Sequence, residues 1–232
     1  MPVILSTSWS LVVTSYNLAL KSYEQIAILF LLPSLIYILS INFIGPNFNP
    51  IRTTLSSHQF IGVYLLIVWA IVSLINFSAS TYFRVITAKT AKAPSLVECY
   101  REGSKIMIKV LTVQMLSILV IGLGFMALIV PGVIFFRRYW FCSFYTISHP
   151  NLTIREIFNK AANETKPFAN YLYATASLIL LINLTIGILI GGSPIGDVFV
   201  FLIGYSILFV PSLRYQEITS YKIKKQTTKK II

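Results

Sequence analysis

Arg137 and Arg138 stand side by side in the apolar run 133–148, which contains no Asp or Glu. An arginine held at mid-bilayer costs about 2.5–3.5 kcal/mol on insertion scales, so a pair of them needs water, headgroups or oxyanion partners. Guanidinium groups suit bidentate contacts to phosphate and carboxylate. One reading of Arg137, Arg138 and the adjoining Tyr139 is therefore a site for an anionic headgroup. The other is that the pair snorkels to an interface, or satisfies carbonyls freed around Pro131. Adjacent helical residues point about 100° apart, so the two do not naturally serve one site.

Three amides, Asn76, Gln114 and Asn183, lie in other apolar runs. They either hydrogen-bond between helices or line a polar path. The catalytic inventory is thin. Glu98, Glu102, Glu156 and Glu164 fall on two short polar segments, His58 and His149 fall on opposite sides of the expected membrane, and Cys99 and Cys142 show no ligand spacing. A hydrolase needs a nucleophile with a base, paired carboxylates or clustered metal ligands. The sequence leads us to expect no enzyme, no cofactor and no metal.

The elements that hold these residues are membrane helices. Charged residues make up only 11% of the 232 residues, where soluble domains run near 25%, and mean hydropathy is +0.78. Soluble enzymes, disulfide scaffolds and disordered chains are excluded on that ground. A span takes about 20 apolar residues. The sequence predicts an all-α bundle of six such spans, at about 25–44 (kinked at Pro33), 60–83, 106–130, 133–148, 171–190 and 195–213, followed by a basic tail from 217 to 232. Gly191-Gly192-Ser193-Pro194 reads as the turn into the sixth. Between the third and fourth spans the chain turns either at Pro131-Gly132 or at Gly122-Leu123-Gly124. In the second case Pro131 is a kink inside the fourth helix.

Basic residues orient the bundle. With both termini inside, Lys21, the stretch from Arg84 to Lys109, Arg155, Lys160, Lys166, Arg214 and the tail lysines all lie on the inner side, and only Arg52 lies outside. That bias follows the positive-inside rule. The first 20 residues carry no basic region ahead of their apolar stretch, so the first span reads as both signal and anchor. The net charge of +12 then points to anionic lipid. The tail lysines Lys222, Lys224, Lys225, Lys229 and Lys230 have only Tyr221 beside them, not the interleaved aromatics of a nucleic-acid surface. The expected partners are the bilayer, its anionic lipids and a membrane protein of unknown identity.

Two inner segments repeat. Ser95–Lys105 aligns without gaps on Thr153–Asn163, and each opens with Ser/Thr followed three residues later by Glu, the signature of a helix N-terminus. Leu96, Cys99, Tyr100 and Gly103 in the first, and Ile154, Ile157, Phe158 and Ala161 in the second, form an amphipathic stripe. The pattern predicts short interfacial helices with that stripe toward the acyl chains. Ser10–Lys21 is a weaker third copy carrying Leu11, Tyr16 and Leu20. Aromatic-plus-Arg pairs near Tyr82-Phe83-Arg84, Phe136–Tyr139 and Leu213-Arg214-Tyr215 echo the same period.

The series Leu128–Ile134 with Pro131-Gly132, then Arg138-Tyr139, then Asn151–Ile157, then Thr165-Lys166 resembles the bacterial glycerophosphoryl diester phosphodiesterase membrane domain family and its six-span inner-membrane relatives. The likeness covers 95–166 best. It implies a multi-pass protein of the bacterial inner membrane. In the fused members of that family a soluble domain does the hydrolysis, and that domain has no counterpart in these residues. Where an acidic residue often precedes the small helix, this chain has His149-Pro150-Asn151. The function expected is a non-catalytic membrane protein engaging anionic headgroups or a partner. The alternative is a small transporter or permease component.

Overall fold

The computed structural model describes residues 7–44, 57–190 and 209–231, all helices and their connections, with no strand among them. In chain order the helices are α1 (Ser8–Lys21), α2 (Tyr23–Ile26), a π-helical segment (Ala27–Leu31), α3 (Leu32–Ile44), α4 (Ser57–Thr90), α5 (Leu96–Lys105), α6 (Met107–Ala127), α7 (Ile129–Tyr139), α8 (Cys142–Ser148), α9 (Ile154–Thr165), a 3₁₀ turn (Lys166–Phe168), α10 (Ala169–Ile190) and α11 (Val210–Ile231). The turn expected at 191–194 and most of the expected sixth span lie outside the described residues.

Two helices are long and apolar enough to cross a membrane, Gln59–Thr90 within α4 and Met107–Ala127. The way α4 is buried runs against what water would select. Its first half exposes Phe60, Ile61, Tyr64, Ile67, Ile71, Leu74 and Ile75, while its second half buries Asn76, Ser78, Ser80, Thr81 and Thr87. Solvent drives apolar surface inward, so an exposed apolar half with a buried hydroxylated half suits a helix whose first half meets hydrocarbon. At 1.5 Å per residue its 34 residues extend roughly 51 Å, well beyond a core of about 30 Å. The surplus is the buried, polar half. Exposed apolar residues continue along α6 and α10 (Met115, Leu119, Met126; Leu180, Leu181, Ile188).

The buried end of the molecule is a ring built three times over. Each of α1, α5 and α9 starts at a hydroxyl cap. Thr7 Oγ1 accepts from Ser10 N, Ser95 Oγ from Glu98 N and Thr153 Oγ1 from Glu156 N, and only Thr153 completes the reciprocal capping box. Such caps contribute about 1 kcal/mol each. Counting from the cap, the fourth residue is Leu11, Cys99 or Ile157, and the eighth is Ser15, Gly103 or Ala161; all six are buried. Helix α5 packs on α4, α9 on α7 and α8, and α1 closes the circle on α11. Inside it α4 touches α8 and α11, and Phe144 and Tyr145 of α8 pack on Tyr215 of α11 at 5.8 and 4.9 Å between ring centroids. Small eighth residues permit the approach: a Cβ on Gly103 would lie 2.9 Å from Ala79 Cα.

This geometry corrects several expectations. The apolar stripes of α5 and α9 face the protein, not the acyl boundary, because they seal the ring: Cys99 and Ile157 are fully buried. On α1 the inward residues are Leu11, Ser15 and Leu18. Tyr16 and Leu20 belong instead to an outward stripe with Trp9 and Val13.

The third-to-fourth turn is at neither expected place. The break is Leu128, extended at φ −165 and ψ 153 between α6 and α7. Pro131 sits in the first turn of α7, where its missing N–H is not needed, and Gly132 lies against the neighbouring helix. A Cβ on Gly124 would stand 3.0 Å from Gly132 Cα, so the glycines set a close α6–α7 hairpin. The run 133–148 is likewise not one helix, since the chain turns at Trp140-Phe141 into α8, whose residues 142–147 are all buried.

Pro33 lies two residues after a π segment, as a kink requires. It has no N–H to offer the carbonyl of Leu29, and Asn76 Nδ2 donates to that carbonyl instead.

Candidate functional site

The innermost arginines of the ring come from α4 and α11. Arg214 is fully buried and tied on all sides. Its Nη1 donates to Glu217 Oε2 at 2.7 Å, Nε to Thr175 Oγ1 at 3.1 Å and Nη2 to Ser8 Oγ at 3.4 Å, while its guanidinium carbon lies 5.7 Å from the Tyr171 ring. One side chain thus links α1, α10 and α11. Arg84, on the corresponding stretch of α4, is half-buried. It reaches Ser80 O at 3.4 Å and Thr81 Oγ1 at 3.3 Å, and stands 5.6 Å from the Phe144 ring. These two arginines both belong to the aromatic-plus-Arg echo.

Arg137 and Arg138 are themselves half-buried in the last turn of α7, where positive charge complements the helix dipole. They lie at the end of a helix and not at the middle of a span, because α7 stops at Tyr139. Neither bonds a carbonyl around Pro131. Arg137 Nε is buried with no hydrogen-bond partner among the described residues. Tyr139 packs on Phe158 of α9 at 5.1 Å, which fixes the end of α7 against the ring. The tail lysines Lys222, Lys224, Lys225, Lys229 and Lys230 continue helix α11, but their side chains lie outside the described residues.

Acids and tyrosines pair around the ring. Tyr145 donates to Glu164 at 2.8 Å and Tyr82 to Glu98 at 3.3 Å. Asn76 accepts from Tyr100 OH at 2.5 Å besides donating to Leu29, so this amide is committed to joining three helices. Gln114 is half-buried on α6, and the Asn183 side chain lies outside the described residues, as does that of His58. Cys99 is sealed beneath α5, and burial pushes its thiol up to about 12. His149 contacts Lys160 Nζ at 2.9 Å, and burial, then the lysine charge, hold its imidazole below the ordinary value. Among the described residues no three His, Cys, Asp or Glu side chains cluster as metal ligands.

Lysines occupy the outer edge of the ring. Lys105 bonds both Glu102 oxygens at 2.8 Å, and that contact, with Arg101 also helping, lowers the Glu102 carboxyl below its usual range. Lys109, at the start of α6, donates to Pro150 O at 2.5 Å and to Leu152 O. Lys89, Lys92, Arg155 and Lys166 are exposed around the same end. In the sequence this rim is legible as charge bias, without the pairing of its lysines.

Fold and rim together define an all-helical protein with two membrane-length apolar helices and a compact, basic-edged end. The chain matches no family model, no curated protein and no solved structure.

Proposed function

We propose that the chain is a non-catalytic, multi-pass protein of the bacterial inner membrane, with six spans, both termini inside and a basic inner rim that engages anionic lipid headgroups. The observation that carries the reading is the division of α4, with apolar residues exposed along its first half and hydroxylated residues buried along its second. A bilayer around the first half accounts for both, and it brings the lysine-edged ring to headgroup depth. Anionic leaflets attract basic residues by about 1 kcal/mol each. A transporter reading is the weaker one, since the amide of Asn76 is consumed by Leu29 and Tyr100.

The test is thermal unfolding of the full chain in nanodiscs of phosphatidylcholine alone and with phosphatidylglycerol. Anionic lipid should raise Tm, and added salt should shrink the gain as it screens the rim. Equal Tm values in both lipids would overturn the reading.

A further inference from the structure

We propose that the groove where α5 meets α6 is a specific site for one anionic phospholipid, its headgroup at Lys105 and Lys109 and an acyl chain along α6. The proposal rests on the lipid-engaging role given above and names the place where it acts. The groove encloses about 530 Å³, with Lys105, Ile108, Lys109 and Thr112 on one wall and Pro150 and Thr153 on the other. Its two cations are held differently. Lys109 is fixed by the carbonyls of Pro150 and Leu152, which uses two of its three N–H donors and leaves one. Lys105 is 61% exposed on a surface pair with Glu102, and such pairs contribute little, so an incoming phosphate can recruit it.

An apolar track leads away from these lysines. Ile108, Met115, Leu119 and Met126 are 77%, 69%, 56% and 86% exposed. With Thr112 they follow helical spacing on one face of α6. Cationic groups at the mouth and an exposed apolar track below match an amphiphile with a negative head. A soluble phosphate ester would leave the track unused.

The ring supplies an internal control. One repeat earlier the same kind of seam, where the start of the first membrane helix meets the N-terminus of α5, forms a second groove of about 550 Å³. Gln25, Thr90, Lys92, Ser95 and Glu98 line it, so it offers one lysine beside an acid where the first groove offers two lysines, of which Lys105 pairs with Glu102. The lipid preference should therefore belong to the first groove.

The experiment is native mass spectrometry of the full chain in neutral detergent with equal phosphatidylglycerol and phosphatidylcholine, for wild type, Lys105→Gln, Lys109→Gln and Lys92→Gln. Wild type should retain phosphatidylglycerol selectively. Lys105→Gln, whose ammonium bonds only surface Glu102, should keep the wild-type Tm while weakening binding about fivefold. Lys109→Gln should weaken it at least as much, and Lys92→Gln should leave it unchanged. Full retention in both Lys105→Gln and Lys109→Gln would overturn the groove while leaving the broader lipid role standing. No selectivity in wild type would overturn both. Displacement of the lipid by glycerol 3-phosphate would overturn the assignment to a lipid in favour of a soluble phosphate.

Discussion

At the residue scale, Arg214 is the side chain the ring depends on most. Taking a guanidinium out of water is tolerated only where its donors are met, and here Glu217, Thr175, Ser8 and the Tyr171 ring meet them. Arg214→Met should lower stability by about 3 kcal/mol, the low end for a broken buried pair, because Glu217 is 22% exposed and can regain water. Thermal denaturation in detergent reads this directly, and a loss no larger than that of Arg138→Gln would show Arg214 to be dispensable. Glu156 gives a pH-dependent counterpart. The Thr153 backbone N–H, and then its hydroxyl, hold the carboxyl below its usual range. A group whose folded pKa is depressed adds stability above its unfolded pKa and loses it as pH falls through the folded value. Glu156→Gln should thus flatten the fall in Tm seen on acidification below the ordinary Glu range. An identical pH profile in the variant would remove the carboxylate from the account.

The same scale shows what sequence can and cannot convey about a site. The caps at Ser95 and Thr153 were legible because a cap is a local bond between residues three apart. The pairing of Arg214 with Ser8 was not, because it joins residues 206 apart in sequence. Sequence also drew attention to Arg137 and Arg138, which look buried when 133–148 is taken as one continuous span. The turn at Trp140-Phe141 carries no Gly or Pro, so nothing local announced it.

At the scale of elements, the repeat explains which small helices were read correctly and which way they face. An amphipathic period says that one side is buried, but not whether lipid or protein buries it; the small residues at the eighth position after each cap decide for protein. Gly103 leaves no room for a Cβ. Gly103→Ala adds helix propensity worth about 1 kcal/mol, yet its Cβ would meet Ala79 backbone at 2.9 Å, where overpacking costs about 1–3 kcal/mol. The variant should be less stable than wild type despite the better helix former. A Tm at or above wild type would mean that α5 is not seated on α4 as described. Cys99, four residues before it, should resist maleimide at pH 8 until the protein is unfolded, since the thiol is both buried and pushed up to about 12. Labelling in the folded protein would report the same failure of seating.

For the whole molecule, the decisive matter is which parts meet the bilayer and from which side. Helix α4 runs roughly 51 Å, so if its apolar first half crosses the membrane, Asn76–Thr90 emerges on the side where α5 and the lysine rim lie. In the proposed orientation, with the basic side inside, that end of α4 faces the cell interior and the start of α4 faces out. Since Cys99 and Cys142 are both buried, single cysteines added to the natural sequence can be read without a cysteine-free background. Asn47→Cys should react with an impermeant maleimide in intact cells, and Lys92→Cys only after permeabilisation. The reverse pattern would keep the helices but invert the molecule and place the groove at Lys105 and Lys109 on the outer leaflet. If both positions stayed unreactive until permeabilisation, the α3–α4 hairpin would not cross, and the exposed apolar half of α4 would have to be covered by protein. Labelling as expected would leave one account for the composition, the inside-out burial of α4 and the one-sided lysines: a helical ring held against the inner leaflet by the hairpins that pass through it.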